Sequence, residues 1–299
     1  MKLGICCVYF YGPDSGWLLD LQLRYIASTL GGYDYTVYAA ANRLQPELRR
    51  TLEATPRVRI VSLPEYEPNA GGARMNEGSF EHAFYLDLLL RQAADDGCTH
   101  LSALDCDSFP VLPDWPNVLL RRMGSIRFAG VLRSEELETY LPHPSGLFMD
   151  RSFLLEHAPR LFPPKSEMLS NASFREFLQE TGQRTDTGIG YGYALWKSKE
   201  PWLPLKRSNR RNPHFLMAGI YGDIFFHLGA FSRRPWFYFD SQTRLSLRTK
   251  RVLNKMPVLW RLGSWLEERY IESNKRTLAK IVGSLRRDPE RFLSSLQGF

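Results

Sequence analysis

The 299-residue chain reads as an α/β protein built on an open, mainly parallel sheet flanked by helices. Three observations predict this. Strand-length apolar runs alternate with helical periodicity about four times over the first 110 residues. The runs are continuous rather than alternating, as in strands buried on both faces. Glycine and proline punctuate their ends. A hydrophobic content of 43% with 24% charged residues supports an ample globular core.

Residues 3–10 (LGICCVYF) form a first buried strand, closed by the turn Tyr11-Gly12-Pro13-Asp14. Residues 17–30 carry Leu18, Leu19, Leu21, Leu23, Ile26, Ala27 and Leu30 at helical spacing and stop at Gly31-Gly32. A strand over 35–40, a charged helix over 45–54 and a strand over 58–63 follow. A polar loop (65–78) leads to an amphipathic helix over 79–95 and a fourth strand over 99–104. Beyond Pro116 the pattern loosens. Strands are expected at 127–132 and 146–149, and helices at 152–157, 173–181 and 187–197, the last weakened by the glycines of Gly188-Ile-Gly-Tyr-Gly192. Residues 159–167 read as a proline-bearing link, 206–213 as a basic loop, and 220–228 as a strand or extended segment. From residue 242 the character changes: residues 244–291 hold thirteen Lys/Arg against five Asp/Glu, with apolar residues at helical spacing, which predicts one to three basic amphipathic helices.

The four cysteines, Cys6, Cys7, Cys98 and Cys106, lack the paired spacing of a zinc site, and three sit in apolar strands as small buried hydrophobes. No secretory signal or spanning segment is expected, since the run from Phe215 to Phe231 is broken by Asp223 and His227. Cytoplasmic location is the expectation.

The sharpest motif is Asp105-Cys106-Asp107, at the end of the fourth strand. In open α/β sheets ligands bind beyond the carboxyl ends of the strands. Two carboxylates there suit a hard divalent cation that completes its shell with phosphate oxygens. The competing readings are a plain turn and a phosphatase nucleophile; the latter normally follows the first strand with a Gly-Thr type turn, which is missing here.

With the strand at 3–10, the helix bearing Glu81-His82-Ala83 and Leu86-Asp87, THLSALDCDSFPVLPDW at 99–115, HPSGLFMDRSFL at 143–154, RTDTGIGYGYAL at 184–195 and FFHLGAFSR at 225–233, the chain resembles GT-A-fold, family 2-like glycosyltransferases. The likeness covers about residues 1–240. It implies a catalytic domain over 1–240, with a nucleotide-binding half (1–115) and an acceptor-binding half (116–240), followed by a basic helical extension over 241–299. It also implies a metal-dependent transfer of sugar from a nucleotide-diphosphate-sugar donor to a hydroxyl of a saccharide or lipid-linked acceptor, as in polysaccharide or glycolipid synthesis. In such enzymes Asp105 and Asp107 look like the anchor of Mn²⁺ or Mg²⁺. A histidine as far on as His227 completes the metal shell in some of them; the alternative is a strand-end histidine with a satisfied hydrogen bond. Asp186 falls where inverting members carry their base, and it equally suits a helix cap; Asp150 and Glu135 compete for the base role. Inverting stereochemistry is modestly favoured.

His82 is expected near the nucleotide or as a half-buried helix histidine, and His143-Pro-Ser-Gly146 near the donor sugar or in a simple turn. Arg210, with Arg207 and Arg211, suits diphosphate or a solvated loop. No nucleic-acid module is legible. The net charge of +7 and the C-terminal tryptophans suit an anionic membrane surface, peripheral at its inner face, or a basic cap packed on the domain. Two rival functions stand beside the transferase. A sugar-phosphate nucleotidyltransferase would need a basic glycine-rich loop where residues 11–16 carry no Lys or Arg, and a non-catalytic nucleotide-binding or membrane scaffold would bind without turnover.

Overall fold

The computed structural model describes residues 1–12, 14–41, 43–67, 77–133, 141–183, 186–214, 216–229 and 260–298. Its strands are β1 (Lys2–Val8), β2 (Asp34–Ala40), β3 (Val58–Ile60), β4 (His100–Asp105), β5 (Ser108–Pro110), β6 (Phe128–Leu132), β7 (Pro142–Asp150), β8 (Leu203–Lys206), β9 (Gly219–Tyr221) and β10 (Phe225–His227). Seven form one sheet of order β3-β2-β1-β4-β7-β6-β8, and β5-β10-β9 form a small second sheet. The pairings β2–β3, β1–β2, β1–β4 and β6–β8 are parallel, while β7 runs antiparallel to both β4 and β6. The mainly parallel α/β architecture expected above is therefore present, and β4 lies near its middle.

The helices are α1 (Trp17–Thr29), α2 (Pro46–Ala54), α3 (Glu77–Asp95), α4 (Trp115–Met123), α5 (Arg151–His157), α6 (Lys165–Ser170), α7 (Ala172–Thr181), α8 (Ile189–Ser198), α9 (Trp260–Arg287) and α10 (Pro289–Gln297). They sort by the alternation of side chains along β1. Cys6 and Val8 face a cluster that includes Leu86, Leu89 and Leu90 of α3, Phe153 of α5, Phe174 of α7 and Tyr191 of α8. Leu3 and Ile5 face Ile26 of α1 and Trp115 and Leu119 of α4. Cys7 joins Leu18 and Leu19 of α1, Phe226 of β10 and, from the C-terminal helices, Ile281, Leu285, Leu293 and Leu296.

Several boundaries differ from expectation for local reasons. β1 and β3 are shorter than the apolar runs that predicted them: Tyr9 and Val61 are buried and still donate to the Ala40 and Ala39 carbonyls at the strand ends, while Phe10 turns out to solvent. The end of the proline-bearing link is already the first turn of α6, for which Pro164 stands at the N-cap, where a missing N–H costs nothing. His143 lies within β7 rather than in a loop, since β7 begins at Pro142. β8, which the sequence pattern did not predict, ends at Lys206, where the basic loop was expected to begin. Part of the predicted basic helical region (244–259) lies outside the described residues, and the remainder is α9 and α10.

Helix α8 forms in spite of its glycines because each allows a close approach. A Cβ on Gly188, whose φ is +99°, would lie 1.9 Å from the Pro142 carbonyl oxygen; on Gly190, 1.9 Å from that of Arg160; on Gly192, 2.5 Å from Leu141. The same seam is fastened by polar bonds. Asp87 of α3 accepts the Leu161 N–H at 3.0 Å, and the Leu161 carbonyl accepts the Gly188 N–H at 2.8 Å. Burial pushes the Asp87 carboxyl up to about 7 against the opposing pull of the Leu161 N–H, Arg91 and Arg160.

Two predictions follow from this seam. Gly190→Ala lowers stability by about 2 kcal/mol or more through overpacking, whereas Gly283→Ala in α9, with nothing within 4 Å of its new methyl, raises it by about 0.5–1 kcal/mol; denaturant unfolding reads both signs. For Asp87 the folded state holds the proton more tightly than the unfolded chain. Its contribution is thus complete below the ordinary carboxylate range and is lost as pH rises toward about 7. The unfolding midpoint of the parent should fall between about pH 4 and about pH 7, and Asp87→Asn should flatten that fall.

Candidate functional site

The turn joining β4 to β5 carries the Asp pair, and its backbone is held from four directions. Gln22 of α1, fully buried, donates its amide to the carbonyls of Asp105 (2.8 Å) and Ser108 (2.6 Å). The Ser108 hydroxyl also reaches the Asp105 carbonyl. Tyr11 donates its hydroxyl to the Cys106 carbonyl at 2.9 Å, and the Leu228 N–H donates to the Asp107 carbonyl at 3.0 Å. With every carbonyl of residues 105–108 occupied, the turn is held in place and both aspartate side chains are directed toward His227.

The small sheet then delivers His227. β10 pairs antiparallel with β5 so that His227 stands opposite Ser108. Its Nε2 lies 3.3 Å from Asp107 Oδ1 and 3.6 Å from Asp105 Oδ2. Asp107 and His227 are buried, and the Asp105 side chain is 17% exposed. The ligand atoms of Asp105, Asp107 and His227 lie within 4.8 Å of one another. Two carboxylates and one imidazole nitrogen thus converge on a common point. Nδ1 of His227 is buried without a hydrogen-bond partner among the described residues, so the working end of the ring is Nε2. Two oxygens and one nitrogen in this arrangement fit a divalent cation.

Two further histidines border Asp105. His82 of α3 places Nε2 3.4 Å from Oδ1, and His143 of β7 places Nδ1 3.8 Å from Oδ2. The Ser145 N–H donates to that same Nδ1 at 3.2 Å, which makes it an acceptor and sets the proton of the neutral ring on Nε2. One helical turn along α3 from His82, Tyr85 lines a cleft of about 500 Å³ beyond the ends of β2 and β3. Ala41, Arg43, Ile60, Leu63 and Tyr66 complete its walls, and Arg43 pairs with Glu81, beside His82, at 3.2 Å.

The other sequence candidates are held by contacts of their own. Asp186 is exposed and accepts the Thr187 N–H at 2.7 Å, while the cap position of α8 belongs to Gly188. Arg210 is exposed, its N–H bonded to the Leu296 carbonyl and its side chain set against Gly298 at the end of α10. Arg207 spends its guanidinium on the carbonyls of His214 and Met217, bracing its own loop. Asp150 caps α5 through Ser152 N–H. Glu135 lies outside the described residues.

A second group of metal-type side chains, Glu156, His157 and Glu200, has its charge answered from within. Arg127 reaches Glu156 at 2.7 Å and Glu200 at 2.6 Å, and His157 reaches Glu200 at 2.6 Å. Burial would raise the Glu200 carboxyl, but these partners outweigh it and hold it low.

Gln22 and Tyr11 escaped the sequence reading. A glutamine inside the apolar run Leu18–Ile26 was the available signal for the first.

No protein-family description and no curated protein matches the chain. Solved structures similar in layout include the mannosyltransferase PcManGT from Pyrobaculum calidifontis in complex with GDP-Man and Mn²⁺ (13% identity, TM-score 0.43), over 71% of this chain and 58% of that one. Another is the galactosyltransferase LgtC in complex with donor and acceptor sugar analogs (9%, 0.41; 69% and 73%). A third is a cytidylyltransferase from Leptospira borgpetersenii (11%, 0.41; 74% and 81%). These are likenesses of chain layout, and the functional reading below is drawn from the site.

Gln22→Leu strips the Ser108 carbonyl of its Gln22 partner and leaves the Asp105 carbonyl with the Ser108 hydroxyl. A drop of about 1–3 kcal/mol in unfolding free energy, read by denaturant unfolding, is expected for a buried acceptor left unmet.

Proposed function

We propose that the chain is a metal-dependent glycosyltransferase of GT-A type that moves a sugar from a nucleoside-diphosphate-sugar to an acceptor hydroxyl. The observation that carries this is the convergence of Asp105, Asp107 and His227 at the carboxyl end of β4, with His82 beside Asp105 and, one helical turn along α3 from His82, Tyr85 in the wall of a cleft of about 500 Å³. The base and ribose would occupy the cleft past β2 and β3. The diphosphate would then lie along His82 toward the Asp pair, a path set by α3, which carries both His82 and Tyr85.

A bound divalent cation would supply positive charge to the departing diphosphate. The nitrogen ligand favours Mn²⁺ over Mg²⁺. Asp105 stands against the His82 ring at 3.4 Å, while the Ser145 N–H orients His143, which presents its Nε2 proton as a donor. The hydrogen-bonded turn keeps Asp107 in place, so little reorganisation is needed when charge develops. For acceptor activation, exposed Asp186 is the carboxylate offered as base, giving inversion at the anomeric carbon. The acceptor is proposed to be a saccharide or lipid-linked saccharide, at the inner face of a membrane.

The test is donor turnover with a panel of nucleoside-diphosphate sugars, with and without Mn²⁺, for the parent and Asp107→Ala. Expected is Mn²⁺-dependent sugar release or transfer that falls at least about a hundredfold in the variant. Equal turnover in all four samples would refute the proposal, as would pyrophosphate release from a nucleoside triphosphate. Asp186→Asn should lower kcat with little change in KM if that carboxylate takes the acceptor proton.

A further inference from the structure

Helix α9 is docked by one face and open on the other. Asn274, Ile281 and Leu285 are buried, and Leu278 packs beside them in the core cluster under α1. At about 100° per residue these positions share one side of the helix. Trp265, Arg269, Arg276, Lys280 and Arg287 fall on the opposite side, within a sector of about 60°, and all five are exposed. No Asp or Glu of α9 falls in that sector. Its nearest acid, Glu272, flanks the sector and pairs with Arg276 at 3.5 Å. Trp265 is 47% exposed, with the Arg269 guanidinium 4.8 Å from its ring centroid.

We infer that α9 rests lengthwise on an anionic lipid surface, with Arg269, Arg276, Lys280 and Arg287 facing headgroup phosphates and Trp265 seated at the interface. The charge complementarity is specific in shape as well as sign. The row is straight and runs about 33 Å from Trp265 to Arg287 at 1.5 Å per residue, so it matches a plane rather than a groove. An exposed indole at one end is the side chain suited to the headgroup boundary. A single-stranded polyanion would call for aromatic rings interleaved among the cations to stack its bases, and the row has none between Arg269 and Arg287. Among the described residues no helix is long and apolar enough to cross a membrane, so this contact is peripheral. It depends on α9 alone and stands whether or not the transferase reading does.

The test is co-sedimentation of the full chain with vesicles of phosphatidylcholine and of equimolar phosphatidylcholine and phosphatidylglycerol. Expected is pelleting with the anionic vesicles only, weakened by salt. Binding should drop about tenfold or more for Arg276→Gln/Lys280→Gln/Arg287→Gln. A second variant, Arg50→Gln/Arg121→Gln/Arg175→Gln, removes equal charge from exposed sites elsewhere and should bind like the parent. Thermal unfolding of both variants checks that they fold. The inference is overturned if the parent stays in the supernatant, if both folded triple variants lose binding equally, or if soluble polyanions bind while vesicles do not.

Discussion

One buried side chain sets the terms for the site. The Gln22 amide binds two carbonyls of the β4–β5 turn that would otherwise face an apolar helix. A buried acceptor without a partner is costly, so the turn is stable only against α1. From this follow the direction in which the chain leaves the large sheet, the start of β5, and the pairing through which β10 carries His227 back over a distance of more than a hundred residues. The site is thus built by backbone hydrogen bonds, and its charged side chains are consequences of them.

The two clusters of ionisable groups differ in how their charge is answered. Around Glu156, His157 and Glu200, Arg127 supplies the counter-charge, and the group ties α5 to the end of α8. Around Asp105 and Asp107 the pairings among the described residues include His82, His143 and His227. A histidine can offer a lone pair or a proton, whereas a guanidinium can only donate. The first arrangement is closed by its own arginine; the second retains the capacity to accept an outside cation.

What could be read from the chain was what repeats or alternates. The buried strands, the α3 periodicity and the Asp pair at the end of β4 follow from local pattern, and so did the parallel character of the first four sheet strands. The antiparallel insertion of β7 was not readable, because a strand buried on both faces shows the same apolar run in either direction. The three-residue strands β5, β9 and β10 are too short to carry a period. The glycines of α8 argued against a helix on propensity, yet their worth lies in contacts with Pro142 and Arg160 that no local window contains. Arg210 and Arg207 look alike in sequence as free cations; the fold sets one against α10 and uses the other as an internal brace. Of the two readings for the C-terminal helices, packing on the domain describes the Ile281–Leu285 face, and it leaves the outer face a separate matter.

Cys106 sits between the two aspartates, its thiol buried and directed at the Phe10 carbonyl. Burial raises the thiol well above its usual range, with the neighbouring carboxylates adding to the effect. Such a group is inert to alkylating reagents until the turn itself opens. The chain therefore contains its own reporter: the rate at which that sulfur is labelled measures how often the ground beneath the two acids gives way.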